Sequence, residues 1–113
     1  MQKPHKSEIQ LLHAEVCQAL ADPTRIMMLY LLADEPKNVS ELSAALDINQ
    51  PTTSRHLKVL RERGMVNAER LGTTVTYSLA DRRVMNALDL LRAVMMDNLL
   101  QKTALVDLLN QTP

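Results

Sequence analysis

Two short helical segments, separated by a tight connection, constrain this sequence more than any other feature. The first runs from about Ser40 to Leu46. The second begins after Asn49, where an asparagine at the N-cap and a proline in the first turn favour helix initiation. Gly64 ends the second segment, because glycine readily adopts the left-handed conformation that follows a helix. Residues 40–63 are therefore predicted to form a helix-turn-helix.

The second helix of this pair has two chemically different faces. Thr53, Leu57 and Leu60 recur at helical spacing and are predicted to face inward. The opposite face is polar and basic, and an α-helix of this kind fits the major groove of double-stranded DNA. Candidate base-contacting residues are Gln50, Thr52, Thr53 and Arg55. Candidates for contacts with the DNA backbone, or for packing at the helix flank, are Ser54, His56 and Lys58.

A β-hairpin is predicted directly after the helix-turn-helix, over residues 66–79. Residues 66–70 and 75–79 read as two short strands, since apolar and polar side chains alternate in the second of them. Gly72 supplies the turn. Arg70, Thr73 and Thr74 flank that turn and are predicted to reach the adjacent backbone or minor groove of DNA, as a wing.

Helices are also expected on either side of this central part. An amphipathic helix is predicted over residues 8–20, and Asp22-Pro23 favours the start of another that ends near Ala33. A last helix is predicted from Asp81 to about Leu100, with a continuation through residues 103–110. Its apolar side chains cover more of the helix circumference than one small core needs, so we expect it to be buried against a second copy of the chain.

Charge is distributed unevenly along a chain whose formal net charge is zero. Residues 1–49 carry a net charge of −3, residues 50–76 a net charge of +3, and residues 77–113 none. A local basic segment suits an anionic partner that binds at one place. A solvated helix face explains the same charges without a partner.

Several classes of protein fit this sequence poorly. No apolar run approaches the ~18 residues of a membrane span, and the N-terminal residues lack the apolar stretch of a signal peptide. The single cysteine, Cys17, excludes an intramolecular disulfide. We therefore expect a cytoplasmic protein without a membrane partner. Ser54 and His56 point in different directions on one helix, so no enzyme is predicted, and no cofactor either.

Four sequence segments resemble the ArsR/SmtB family of transcriptional regulators. They are ALADPTR at residues 19–25, VSEL at 39–42, NQPTTSRHLKVLRERGMV at 49–66 and GTTVTYSL at 72–79. The resemblance implies a single winged-helix domain over residues 1–113, mainly α with a small β-hairpin. It also implies a homodimeric repressor, with residues 8–20 and 81–110 as dimerisation helices, which an effector releases from a palindromic operator.

The metal sites that are common in this family lack their ligands here. Asn38 and Ser40 occupy the positions of a Cys-x-Cys pair. At the metal site associated with the last helix, Asp81 and Asp97 match two acidic ligand positions of the family. Arg83 and Val94 occupy the positions of its two histidine ligands. Arginine and valine do not bind zinc, so the resemblance implies a regulator without the usual metal trigger.

The effector is left open by the sequence. His13 and Cys17 lie four residues apart on the predicted first helix and share a face, so a Cys17-dependent metal or redox sensor is one hypothesis. Packing of Cys17 as a small hydrophobic residue is the alternative. The seven methionines favour core packing, or else an adaptable pocket for an apolar effector. A protein-interaction module that binds no DNA is the competing function.

Overall fold

The computed structural model describes residues 1–111, which form five α-helices, one π-helical segment and three β-strands. Contacts divide the chain into two compact units, one comprising residues 1–82 and the other beginning at Arg83. In the first unit the elements are α1 (Lys6–Leu12), the π-helical segment (His13–Cys17), α2 (Pro23–Asp34), β1 (Lys37–Asn38), α3 (Val39–Leu46), α4 (Gln50–Glu62), β2 (Val66–Leu71) and β3 (Thr74–Leu79). The second unit contains α5 (Arg83–Asn110).

The first helical segment departs from the regular helix predicted over residues 8–20. After Leu12 the backbone widens into a π-helical turn, in which the amide of Gln18 donates to the carbonyl of His13, 3.0 Å away and five residues earlier. One additional residue per turn changes the direction of the side chains that follow. The prediction of one uninterrupted α-helix was therefore wrong beyond Leu12.

The predicted apolar stripe of this segment is split by the π-helical turn. Ile9 and Leu12 are exposed, whereas Val16 is half-buried and Ala19 is fully buried. Ala19 anchors the end of the segment, while α1 itself contributes no buried side chain.

An aspartate and an asparagine cap the starts of the next two helices. The carboxylate of Asp22 accepts hydrogen bonds from the amides of Thr24 and Arg25 at the start of α2, as the sequence predicted. The helix α3 begins at Val39, and its N-cap is Asn38. Asn38 and Glu41 form a reciprocal capping box, a pattern that the sequence analysis missed.

The helix α4 packs through the inner stripe that its sequence predicts. Thr53, Leu57 and Leu60 are all fully buried. The side chain of Asn49 accepts from the amide of Thr52 at 2.8 Å, so the predicted N-cap is confirmed. The core of the first unit also includes Met28, Leu29, Leu42 and Val66. Ala45 on α3 is exposed.

The predicted hairpin is the main part of a three-stranded antiparallel sheet. β2 and β3 pair in register from Val66 opposite Leu79 to Leu71 opposite Thr74, around a turn in which Gly72 has a φ of +66°. β1 adds a third strand, because Lys37 pairs with Tyr77. Two residues are too few to show an alternating pattern, so the sequence does not predict this strand.

The helix α5 runs without interruption over 28 residues. It therefore includes the predicted continuation past Leu100. Met85 and Leu88 are its buried residues. Its large apolar side chains from Leu90 to Leu109 are exposed in the single chain. Among residues 1–111, no helix is both long enough and apolar enough to cross a membrane.

Truncation of the inner stripe tests this packing. We expect Leu57→Ala to lower the free energy of unfolding by about 2–5 kcal/mol, because the cavity cannot be filled by rigid neighbours. Leu57→Met, which conserves volume, is expected to cost less than about 1.5 kcal/mol. Urea unfolding followed by circular dichroism measures both. Equal losses for the two variants would contradict a tightly packed α4.

Candidate nucleic-acid interface

The outer face of α4 exposes most of the polar side chains that the sequence singled out. Gln50, Ser54, Arg55 and Lys58 are exposed, and Thr52 is half-buried beside them. They share one face because the buried stripe fixes the opposite face toward the core. This face therefore presents amide, hydroxyl and cationic groups, which are the donors and acceptors that recognise base edges and phosphates.

Two of these side chains are held by neighbours on the same surface. The side-chain amide of Gln50 donates to the Ser40 hydroxyl at 3.1 Å, which links the starts of α3 and α4. The Arg55 guanidinium donates to the Thr52 hydroxyl at 3.1 Å. These bonds preorganise the start of α4 and leave other donors of the guanidinium for a ligand.

Thr53 does not belong to this surface. Its side chain is fully buried, where its hydroxyl accepts from the Ser43 hydroxyl at 2.8 Å and donates to the Asn49 carbonyl at 3.0 Å. A hydroxyl engaged in this way inside the core cannot reach a base edge. The prediction that Thr53 contacts DNA was therefore wrong. The prediction that it belongs to the inner stripe was correct.

His56 lies at the flank of α4, between the outer face and the core. It is half-buried, and its Nδ1 atom is 3.4 Å from Nη1 of Arg25 at the start of α2. Of the two roles that the sequence left open for His56, the structure favours packing within the protein. Arg25 was missed as a structural residue, although it ends the ALADPTR segment.

The wing residues are exposed around the β2–β3 turn. Arg70, Thr73 and Thr74 all have solvent-accessible side chains, and Thr73 and Thr74 also line a groove of about 330 Å³ with Asn38 and Ser40. A second groove, of about 560 Å³, lies between the outer face of α4 and the sheet. Its lining residues are Ser54, Lys58, Arg61, Glu62 and Tyr77. The α4 face and the wing sheet thus border a concave, partly basic strip.

The candidate sensor residues are brought only partly together. Cys17 is exposed, which contradicts its interpretation as a buried hydrophobic residue within one chain. The neighbour of His13 is Gln18, whose amide nitrogen lies 3.5 Å from Nε2 of His13. Across the described residues, no group of three or more His, Cys, Asp or Glu side chains is arranged to hold a metal ion.

Comparison with known proteins places this geometry in a family. The model of the bacterial regulatory protein arsR family matches residues 22–68. A biofilm growth-associated repressor from Agrobacterium fabrum is 40% identical over 81 residues, which make up 72% of this chain and 69% of that protein. The chain belongs to the arsR family. This result confirms the resemblance on which the sequence analysis relied.

Two further relatives define the extent of the likeness. A transcriptional repressor SmtB homolog from Synechocystis is 41% identical over 73 residues, which are 65% of this chain but only 55% of that protein. The solution structure of a homodimeric winged helix-turn-helix DNA-binding domain from Mycobacterium bovis has a TM-score of 0.72 and 31% identity. The match covers 86% of this chain and 90% of the M. bovis chain. The fold of this arsR-family chain is therefore a winged helix-turn-helix, mainly α with a small antiparallel sheet, as predicted.

The buried position of Thr53 leads to a prediction about stability. We expect Thr53→Val to lower the free energy of unfolding by about 1–3 kcal/mol, because the Ser43 hydroxyl loses its buried acceptor. Thr52→Val, one residue away on the outer face, serves as the matched control and is expected to stay within about 0.5 kcal/mol of wild type. Chemical unfolding measures both changes. An unaffected Thr53→Val variant would contradict the buried hydroxyl pair.

Proposed function

We propose that this arsR-family chain is a sequence-specific DNA-binding transcriptional regulator, and that it acts as a homodimeric repressor. The observation that carries the proposal is the two-faced α4 helix, whose inner face is fully buried and whose outer face exposes an amide, hydroxyls and cations. A helix of this kind enters the major groove, where glutamine pairs with adenine and arginine with guanine.

The proposed contacts divide into three groups. Gln50, Thr52 and Arg55 at the start of α4 would contact base edges, because the first turns of a recognition helix lie deepest in the groove. Ser54 and Lys58 would contact phosphates beside the groove. Arg70, Thr73 and Thr74 would contact the adjacent backbone or minor groove from the wing. We leave out Thr53, which is fully buried, and assign His56 to packing beside Arg25 rather than to a DNA contact.

A homodimer is the second part of the proposal. Ile9, Leu11 and Leu12 on α1 are exposed, and α5 exposes large apolar side chains over several turns. Monomeric soluble proteins rarely expose so many large apolar side chains along one helix as α5 does, and a second copy of the chain covers them most simply. The M. bovis structure that resembles this fold is a homodimer, which supports the same arrangement.

Release by an effector completes the proposed repressor. The residues at the usual metal positions, which include Asn38, Ser40, Arg83 and Val94, do not favour zinc. We therefore propose an effector other than a metal bound at those positions. Relatives are named repressors, which supports gene regulation rather than catalysis, and we propose that this regulation takes place in the cytoplasm.

Selection from a random pool of DNA duplexes tests the proposed function. We expect the full chain to enrich an inverted repeat, whose half-sites lie about one helical turn apart because a two-fold dimer presents two α4 helices. Enrichment of no sequence, or of one isolated half-site, would contradict a dimeric operator-binding protein. A protein-interaction module in particular would enrich nothing.

The salt dependence of binding tests the role of Lys58. On the selected duplex, we expect Lys58→Ala to reduce the slope of log K against log salt by about two, since each of two protomers loses about one phosphate contact. Lys3→Ala removes the same charge near the N-terminus and is the control, with an unchanged slope. If the two variants changed the slope equally, Lys58 would have no specific phosphate contact.

The oligomeric state tests the proposed α5 interface. We expect Leu91→Glu to convert the dimer into monomers, because it places a charge among exposed apolar side chains that the partner would cover. Leu71→Glu on β2 is the matched control, since Leu71 is 61% exposed and Leu91 is 64% exposed. Analytical ultracentrifugation distinguishes the two variants. A dimer that tolerates Leu91→Glu would contradict burial of this face.

A further inference from the structure

The groove between α4 and the sheet is lined by polar side chains from two elements. Its volume is about 560 Å³, and its lining residues are Ser54, Lys58, Arg61, Glu62 and Tyr77. We call it the α4–β3 cleft, because Tyr77 lies on β3 and the other lining residues lie on α4. Ser54 and Lys58 already belong to the proposed DNA contacts, whereas Arg61 and Tyr77 have no assigned role.

The α4 side of the cleft is a row of exposed side chains at helical spacing. Ser54, Lys58 and Arg61 follow one another at intervals of four and three residues, which places them on one face of the helix. All three are exposed. The row therefore presents a hydroxyl and two cations along the cleft.

Tyr77 lines the cleft from the sheet. β3 is the central strand, and Tyr77 pairs with Lys37 of β1 on one side and with Ala68 of β2 on the other. Pairing on both sides holds the backbone of Tyr77 in place, and its side chain is half-buried. A phenol that is restrained in this way offers its hydroxyl group as a donor with little further loss of side-chain freedom.

The donors of the cleft are available to a ligand. Within residues 1–111, the side chains of Lys58, Arg61 and Tyr77 take part in no hydrogen bond or ion pair. Arg63 provides the contrast, since its guanidinium donates to Glu15 at 3.1 Å. The charge of Arg61 is therefore not neutralised at contact distance by any acid in the described part of the chain.

The shape of double-stranded DNA requires a backbone strand at this place. One sugar–phosphate strand separates a major groove from the adjacent minor groove. When α4 occupies the major groove and the β2–β3 turn reaches the adjacent minor groove, that strand has to pass between the helix and the hairpin. The α4–β3 cleft lies between the same two elements.

We propose that the α4–β3 cleft holds the DNA strand between the two grooves, and that Arg61 and Tyr77 bind its phosphates together with Lys58. This inference rests on the proposed function and adds two DNA-contacting residues to it. A guanidinium and a phenol both donate to phosphate oxygens, and neither contact depends on the base sequence. Arg61 and Tyr77 thus contribute affinity rather than sequence preference.

A polymeric anion suits this cleft better than a free phosphate ion does. The α4 row is exposed, so a single small ion would keep most of its hydration there and would be screened by salt. A DNA strand brings phosphates at regular spacing and releases counterions as each cation neutralises one. Lys58 and Arg61 outweigh the acid Glu62, which leaves the lining with a net positive charge.

The salt dependence of binding to the duplex selected from the random pool tests the role of Arg61. We expect Arg61→Ala to reduce the slope of log K against log salt by about two, because each of two protomers loses about one phosphate contact. The loss of affinity should be the same on duplexes that carry single base-pair replacements. Arg63→Ala is the matched control, since Glu15 already engages this side chain, and it should keep the wild-type slope.

The hydroxyl of Tyr77 is tested by Tyr77→Phe. We expect this variant to bind the selected duplex at least about tenfold more weakly, the change expected for the loss of a hydrogen bond to a charged group. Its salt slope should stay unchanged, because no cation is removed. Ethylation of individual DNA phosphates then locates the contact. A phosphate whose ethylation blocks the wild-type chain should have little effect on Tyr77→Phe.

Glu62 tests the sign of the charge that the cleft binds. We expect Glu62→Gln to bind the duplex at least about twofold more tightly at low salt, because it removes a repulsive charge beside the phosphates. Glu8→Gln makes the same change in net charge on α1 and should have a smaller effect. Weaker binding by Glu62→Gln would contradict an anion in the cleft.

The outcomes separate this inference from the proposed function. A wild-type salt slope in Arg61→Ala, or wild-type affinity in Tyr77→Phe, would overturn the assignment of these two residues while the recognition helix still selects its duplex. A loss in Arg61→Ala confined to one base pair would also overturn it, since that result indicates a base contact. Failure to select any duplex would instead overturn the proposed function.

Discussion

The burial of one face of α4 is the constraint on which the rest of this structure depends. Leu57 and Leu60 are fully buried, and Thr53 joins them through a hydroxyl that bonds to Ser43 on α3. Because a helix has fixed periodicity, burial of this face determines which side chains face solvent. The exposed polar and basic face is thus a consequence of core packing, and the Ser43–Thr53 hydrogen bond fixes the contact between the two helices of the helix-turn-helix.

The elements around α4 restrain its ends. Asn49 caps its first turn, and Gln50 bonds to Ser40, so the start of the helix is tied to α3. The Arg25 guanidinium lies 3.4 Å from Nδ1 of His56 in the middle of α4, and Arg63 at its C-cap donates to Glu15 at 3.1 Å. Glu15 lies in the π-helical segment, and Arg25 also donates to the main-chain carbonyls of Gln18 and Ala19 directly after that segment.

Much of the fold could be predicted from the sequence, because its signals are local. Asp22-Pro23, Asn49 and Gly72 mark helix starts and a turn, and apolar spacing identifies the buried face of α4.

The missed features depend on contacts between distant residues. β1 is a strand only because it pairs with β3. The spacing of apolar residues along the first segment gives no sign of the π-helical turn. The sequence predicted Thr53 both as a core residue and as a DNA contact, because a threonine side chain suits either role. Its buried hydrogen bond to Ser43 decides for the core. Arg25 and His56 are 31 residues apart, so their contact has no local signal.

The central claim is that the outer face of α4 reads base pairs in the major groove. Binding of Arg55→Ala to a set of duplexes, each with one base pair of the selected site replaced, tests it most directly. Our account predicts that this variant loses discrimination at one base pair in each half-site, symmetrically, with a cost of about 1–3 kcal/mol on the preferred sequence. Unchanged discrimination at every position, or a uniform loss of affinity across all the duplexes, would contradict the account.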